Sequence, residues 1–148
     1  MATKATKIVL GKRPEKFSKQ VTFPMLDGTE GAIVVDFKYR TRSEAAKLSD
    51  DMQDKIEART RSDIAKYQED AAAAIEAGKP APEIRPTEVA AREQEIRTMY
   101  IMAAVTGWNL DIPFDREAVE QLVDELPAAA VAIISAYRDA VNEGRLGN

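Results

Sequence analysis

The chain has 148 residues, 45% hydrophobic and 31% charged, with a net charge of −4, the make-up of one soluble globular domain. It holds neither cysteine nor histidine, which removes disulfides, thiol nucleophiles, thiolate metal sites and the commonest general base. Of the usual metal centres only an all-carboxylate Mg²⁺ or Ca²⁺ site remains, and no apolar run approaches the roughly 20 residues that span a bilayer.

Charge is placed unevenly. Residues 1–42 carry nine Lys/Arg against four Asp/Glu, and residues 43–148 carry twelve against twenty-one. The start, "MATKATKIVLGKRP", has an apolar run of only Ile8 to Leu10, too short for a signal-peptide core. The chain is therefore expected to act in the cytoplasm where it is made. Ile8-Val9-Leu10 is also a weak candidate for a short strand.

A β-hairpin is predicted next. In "EKFSKQVTF" Phe17, Val21 and Phe23 alternate with polar residues, and in "AIVVDFKYR" Ile33, Val35, Phe37 and Tyr39 alternate with Val34, Asp36, Lys38 and Arg40. Period-two alternation means that each segment buries one face. Asp27-Gly28 supplies the turn chemistry between them.

A long helix is expected from "TRSE", where Thr41 caps and Glu44 reaches back. Ala45, Leu48, Met52 and Ile56 share one face, and Ile64, Tyr67, Ala71 and Ile75 resume it. The segment is either one continuous helix or two with a break near Ser62, and Gly78 stops it. "GKPAPEIRP" holds three prolines and cannot be helical. A returning helix starts near Thr87, with Val89, Ile96, Met99, Tyr100 and Ala103 inward and Gly107 as its end.

Two shorter helices follow. Asp115 is the expected cap of the first, with Phe114 and Val119 at the staple positions. Its inward residues are Val119, Leu122, Val123 and Leu126. Pro127 breaks it and opens the last helix, where Ala130, Ile133, Ile134, Tyr137 and Val141 face inward. Gly144 caps it, and the tail "RLGN" is expected to fray. The predicted fold class is α+β, an N-terminal β-hairpin packed on four or five helices. The whole, 1–148, is read as a single domain with a hairpin region (1–41), a long helical hairpin turning at 78–86 (42–107) and a C-terminal helical pair (108–148).

No constellation points to catalysis. Asp111, Asp115, Glu117 and Glu120 cluster in sequence but lack the pattern of a calcium loop, and helix capping accounts for them more economically. Gly11-Lys12-Arg13 and Gly78-Lys79 lack the glycine spacing and the Ser/Thr of a phosphate loop. The serines have no histidine to activate them. No enzymatic activity, cofactor or metal is expected, and an enzyme built on carboxylate-bound metal is the weakest competitor.

Two binding readings remain. The basic N-terminal face, with Lys12, Arg13, Lys16, Lys19, Lys38, Arg40 and Arg42, offers an alternative function as a small nucleic-acid-binding or regulatory module. RNA-binding sheets, however, expose aromatics among their basic residues, and here Phe17, Phe23, Phe37 and Tyr39 fall on the opposite face. The other reading is a protein-binding groove. Met25, Met52, Met99 and Met102 would make such a groove adaptable, although each alone is ordinary core filling. Trp108, one residue beyond Gly107, is expected to fold back on Tyr100 or Ala103/Ala104, or to serve as an anchor for a partner. Met52, Met99, Met102 and Trp108 are the candidate partner-binding residues.

The order of these parts resembles one family of phage tail assembly chaperones. "FSKQVTFPMLDGTEGAIVVDFKYRTRSEAAKL" is similar to the family's opening: a strand, a Pro…Asp-Gly turn, a second strand and the first helix. "GWNLDIPFDREAVEQLVDELPAAAVAIISAYRDAVNEGRLGN" resembles its second half. Residues from about Arg59 to Pro86 match only as a helical segment of free length. The resemblance implies a chaperone of long-tailed phages or prophages. Such a protein keeps the helical, apolar tape-measure protein soluble and recruits tail-tube subunits around it. It works in the host cytoplasm and is absent from the mature virion. Self-association is left open, and neither membrane nor nucleic acid is an expected partner.

Overall fold

The computed structural model describes residues 4–144. In chain order it has β1 (Lys16–Pro24), β2 (Glu30–Lys38), α1 (Arg42–Glu76), α2 (Pro86–Ala104), β3 (Val105–Trp108), α3 (Arg116–Glu125) and α4 (Pro127–Glu143). The architecture is α+β, as expected from the sequence, with an antiparallel sheet of order β1-β2-β3 and four helices among the described residues.

The alternating pattern sets the hairpin. Phe17, Val21, Phe23, Ile33, Val35 and Phe37 are all buried. The register pairs Phe17 with Phe37 and Phe23 with Gly31. At the turn Gly28 takes φ +83°, and Asp27 Oδ1 accepts from the Thr29 backbone N–H at 3.0 Å. Gly31 is required for packing, since a Cβ there would meet the Phe23 ring at 2.7 Å and Met25 Sδ at 2.8 Å.

Helix α1 is continuous through Ser62. Thr41 and Glu44 form the expected capping box. At the other end the Lys79 N–H donates to Ala74 O and the Gly78 N–H to Ile75 O, the paired bonds of a Schellman stop, with Gly78 at φ +69°. The expected apolar stripe is only partly used. Met52 is buried and Leu48 lies against the core, but Ile64, Tyr67 and Ile75 are exposed. The helix runs roughly 36 Å past Met52 at 1.5 Å per residue, farther than the core extends to meet it. Its links to α2 are polar: Arg59 with Glu95 at 2.7 Å, Asp63 with Arg92 at 3.3 Å, and Arg92 with the Thr60 hydroxyl.

Helix α2 starts at Pro86, with Glu88 accepting from the Arg85 N–H at 3.3 Å. Its buried positions are Thr98, Ile101 and Ala104, whereas Val89 is exposed and Ile96, Met99, Tyr100 and Ala103 are half-buried. The inward face is therefore rotated by about one position from the sequence expectation. The reason is that α2 packs against α3 and α4 as well as the sheet, so that tertiary contacts choose the face.

The helix also ends three residues early. Val105–Trp108 is the third strand, paired antiparallel to β2 with Val35 opposite Trp108 and a bulge between Asp36 and Phe37. The β-branched and aromatic residues here suit a pleated surface, and β2 offers a free edge. Asn109 continues the ladder, its N–H donating to Val34 O at 3.1 Å and its Oδ1 accepting from the Val34 N–H at 2.9 Å. Residues 8–10, the other candidate for a strand, form none, and Ile8 and Leu10 are exposed.

The C-terminal helices follow the sequence closely. Asp115 Oδ1 accepts from the Ala118 N–H at 2.8 Å, Pro127 opens α4, and Gly144 caps it at φ +70°. The tail beyond Gly144 lies outside the described residues. One core joins Phe17, Val35 and Phe37 of the sheet to Ile101 of α2, Val119 of α3, and Ile133 and Tyr137 of α4. The Tyr137 ring stacks on Phe17 and Phe37, its hydroxyl donates to Lys38 O at 3.0 Å, and Arg40 donates to that hydroxyl at 2.9 Å.

Candidate functional site

The end of β1 meets the first turns of α4 across an open cleft. Phe23, buried, makes its floor, and Thr22 and Pro24 make one wall. The opposite wall is Pro127, Ala128, Val131 and Ala132, and Arg97 of α2 closes one side. The volume is about 450 Å³. A second hollow, at the hairpin turn, is lined by Thr22, Phe23, Pro24, Gly28, Thr29 and Glu30.

Local sequence explains each wall. Leu126 adopts a non-helical conformation before Pro127, which fixes where α4 begins. Ala128, Val131 and Ala132 lie three and four residues apart and so share one face. Small alanines there keep the cleft open, while Val131 remains 46% exposed. Leu126 gives α4 no side-chain cap, but Pro127 has no N–H and the Leu126 carbonyl accepts from the Ala129 and Ala130 N–H groups at 3.0 and 3.2 Å, so the helix start leaves few orphan donors. Arg97 is half-buried and, among the described residues, has no hydrogen-bond or ion-pair partner. Its α2 neighbours Arg59-paired Glu95 and Asp63-paired Arg92 are engaged elsewhere.

The residues picked from sequence are differently placed. Met52 is buried on α1. Met102 is half-buried against the core, and Met99, one turn earlier on α2, is half-buried outside it. Trp108 does not fold back on Tyr100 or Ala103/Ala104 as a helix end would. It stands on β3, edge-on to Phe114 at 5.1 Å, and its Nε1–H donates to Ile112 O at 2.8 Å. It thereby closes the loop that leads from β3 to α3. Met25, half-buried, covers Gly31 at the hairpin turn.

Among the described residues no three acidic groups gather in a way that could hold a metal ion. The hydrogen bond from Arg13 holds the Glu44 carboxyl below its ordinary range, against the opposing effect of burial. Burial pushes the Tyr100 hydroxyl up, partly offset by Arg138, whose guanidinium lies 5.6 Å from the ring centre.

The basic hairpin face is partly neutralised within the chain. Arg13 pairs with Glu44 at 2.6 Å, Lys16 approaches Asp36 at 3.8 Å, and Arg40 is turned onto Tyr137. Phe17, Phe23 and Phe37 are buried and Tyr39 is half-buried against the core, so the sheet presents no stacking platform for bases. The cleft was not legible in sequence. Arg97 reads there as one more solvated charge on a helix, and nothing links it to Phe23 or Val131 until the chain folds.

A family model described as phage tail assembly chaperone matches residues 1–148, and the chain belongs to that family. No curated protein and no solved structure matches the chain.

Proposed function

We propose that this family member acts without catalysis, in the host cytoplasm, by binding the tape-measure protein and bringing tail-tube subunits to it. It leaves before the tail is finished. The observation that supports client binding is the apolar surface outside the core. Ile64, Tyr67 and Ile75 on α1, Ile84 in the connection and Val89 on α2 are 43–71% exposed, all on one helical arm. Scattered exposed aliphatics are ordinary, whereas a concentration of them marks an interaction surface. The arm and the cleft are separate surfaces, which suits a protein with two partners. The methionine and tryptophan contacts belong to this proposal as well, and of these Met99, Met102 and Trp108 are half-buried and keep surface that a client can touch.

The test is co-expression of a tape-measure protein of the same phage, with and without this chain. The soluble fraction of the tape-measure protein should rise, and the two should co-purify. Unchanged solubility without co-purification would remove the reading. Light scattering on the purified chain decides whether a second copy occupies either surface.

A further inference from the structure

We propose that the cleft between β1 and α4 docks one amphipathic helix of the client, and that an Asp or Glu on that helix pairs with Arg97. This rests on the chaperone reading and deepens it by naming the contact surface and the chemistry that fits it.

Three observations converge. The walls are apolar, from Phe23 and Pro24 on one side to Pro127, Ala128, Val131 and Ala132 on the other. Such a surface takes aliphatic side chains from one face of a helix, the helix-in-groove mode of recognition. The single cation in the wall, Arg97, has no partner of its own among the described residues. A half-buried guanidinium without a carboxylate gains most from an acidic partner that arrives with its surroundings already apolar. Finally, the first turn of α4 carries no acidic residue that would compete for Arg97. The cleft lies open to solvent. That shape suits the ridge of a helix better than a chain terminus, which needs an enclosing cradle of backbone N–H groups.

The experiment uses the full chain and synthetic helical segments that tile the tape-measure protein, with binding read by fluorescence anisotropy. Arg97→Glu and Val131→Asp should each weaken the tightest segment roughly tenfold or more. Both variants should keep the wild-type melting temperature within a few degrees, because both side chains reach solvent. Replacing the acidic residue of that segment by Lys should weaken wild type and restore binding to Arg97→Glu. Lys55→Asp, at an exposed position of α1 outside both the cleft and the arm, should leave affinity unchanged. Arg97→Glu and Val131→Asp binding as wild type, or Lys55→Asp abolishing binding, would overturn the cleft. If wild type holds none of the segments, the chaperone reading falls and the cleft falls with it. If wild type binds and the cleft variants bind equally, the cleft alone is lost.

Discussion

Removing residues 61–91 and joining Thr60 to Arg92 by four Gly/Ser residues should leave a folded protein. The excised part holds Ile64, Tyr67, Ile75, Ile84 and Val89, all exposed, and none of the core. The new junction is short, since the Arg92 guanidinium already reaches the Thr60 hydroxyl. What is lost is the ion pairs of Asp63 with Arg59 and Arg92, at 3.0 and 3.3 Å, between side chains 34–48% exposed. Exposed pairs contribute about 0.2–1 kcal/mol each, so the two together cost at most about 2 kcal/mol. For a chain of about 120 residues that lowers Tm by no more than roughly 8 °C. By contrast Ile101→Ala, at a fully buried core position, should cost about 2–5 kcal/mol. Thermal denaturation followed by circular dichroism should show one transition for the shortened chain, as for the whole. A loss of cooperative unfolding on excision, or a cost matching that of Ile101→Ala, would refute the reasoning that the arm stands outside the core.

Thr98 is fully buried, and its hydroxyl has no hydrogen-bond partner among the described residues. Thr98→Val should therefore stabilise by about 1 kcal/mol, a Tm rise of roughly 3 °C, and a fall in Tm would show that the hydroxyl is satisfied. Trp108→Ala removes the ring against Phe114 and the bond to Ile112 O and should cost about 2–3 kcal/mol, less than for a fully buried aromatic; unchanged melting with lost client binding would make Trp108 a contact residue instead. Glu44, with its carboxyl held below 4.5 first by Arg13, favours the folded state when ionised. That stabilisation is complete above pH 4.5 and fades as pH drops through the lower folded value. Glu44→Gln should flatten the acid limb of stability against pH, and an unaltered limb would deny the contact.

The two-residue rhythm of Phe17 to Phe37 and the caps Thr41, Asp115, Pro127 and Gly144 were readable because each is decided by neighbours in the chain. The third strand was not. Val105–Trp108 follows a helical stripe without punctuation until Gly107, and its partner, the free edge of β2, lies about seventy residues earlier. The same limit hid the cleft. Phe23, Arg97 and Val131 come from three elements, and only the folded arrangement makes them neighbours. The stripe on α1 misled in the opposite sense, because periodicity reports a face that could be buried and does not say that anything covers it. The family likeness survived these errors, since it depends on the order of segments rather than on what each one touches.

The position of β2 has a consequence for synthesis. Its one neighbour, β1, leaves the ribosome just before it. Its other neighbour, β3, and the Tyr137 ring that roofs Phe17 and Phe37 come from the last third of the chain. At about 5–20 residues per second the nascent hairpin waits for several seconds with an open edge and bare aromatics. A member of a chaperone family is thus itself unsheltered until the segments that carry β3 and Tyr137 have been made. Its maturation is an event of release, in which the late segments close on the early ones together.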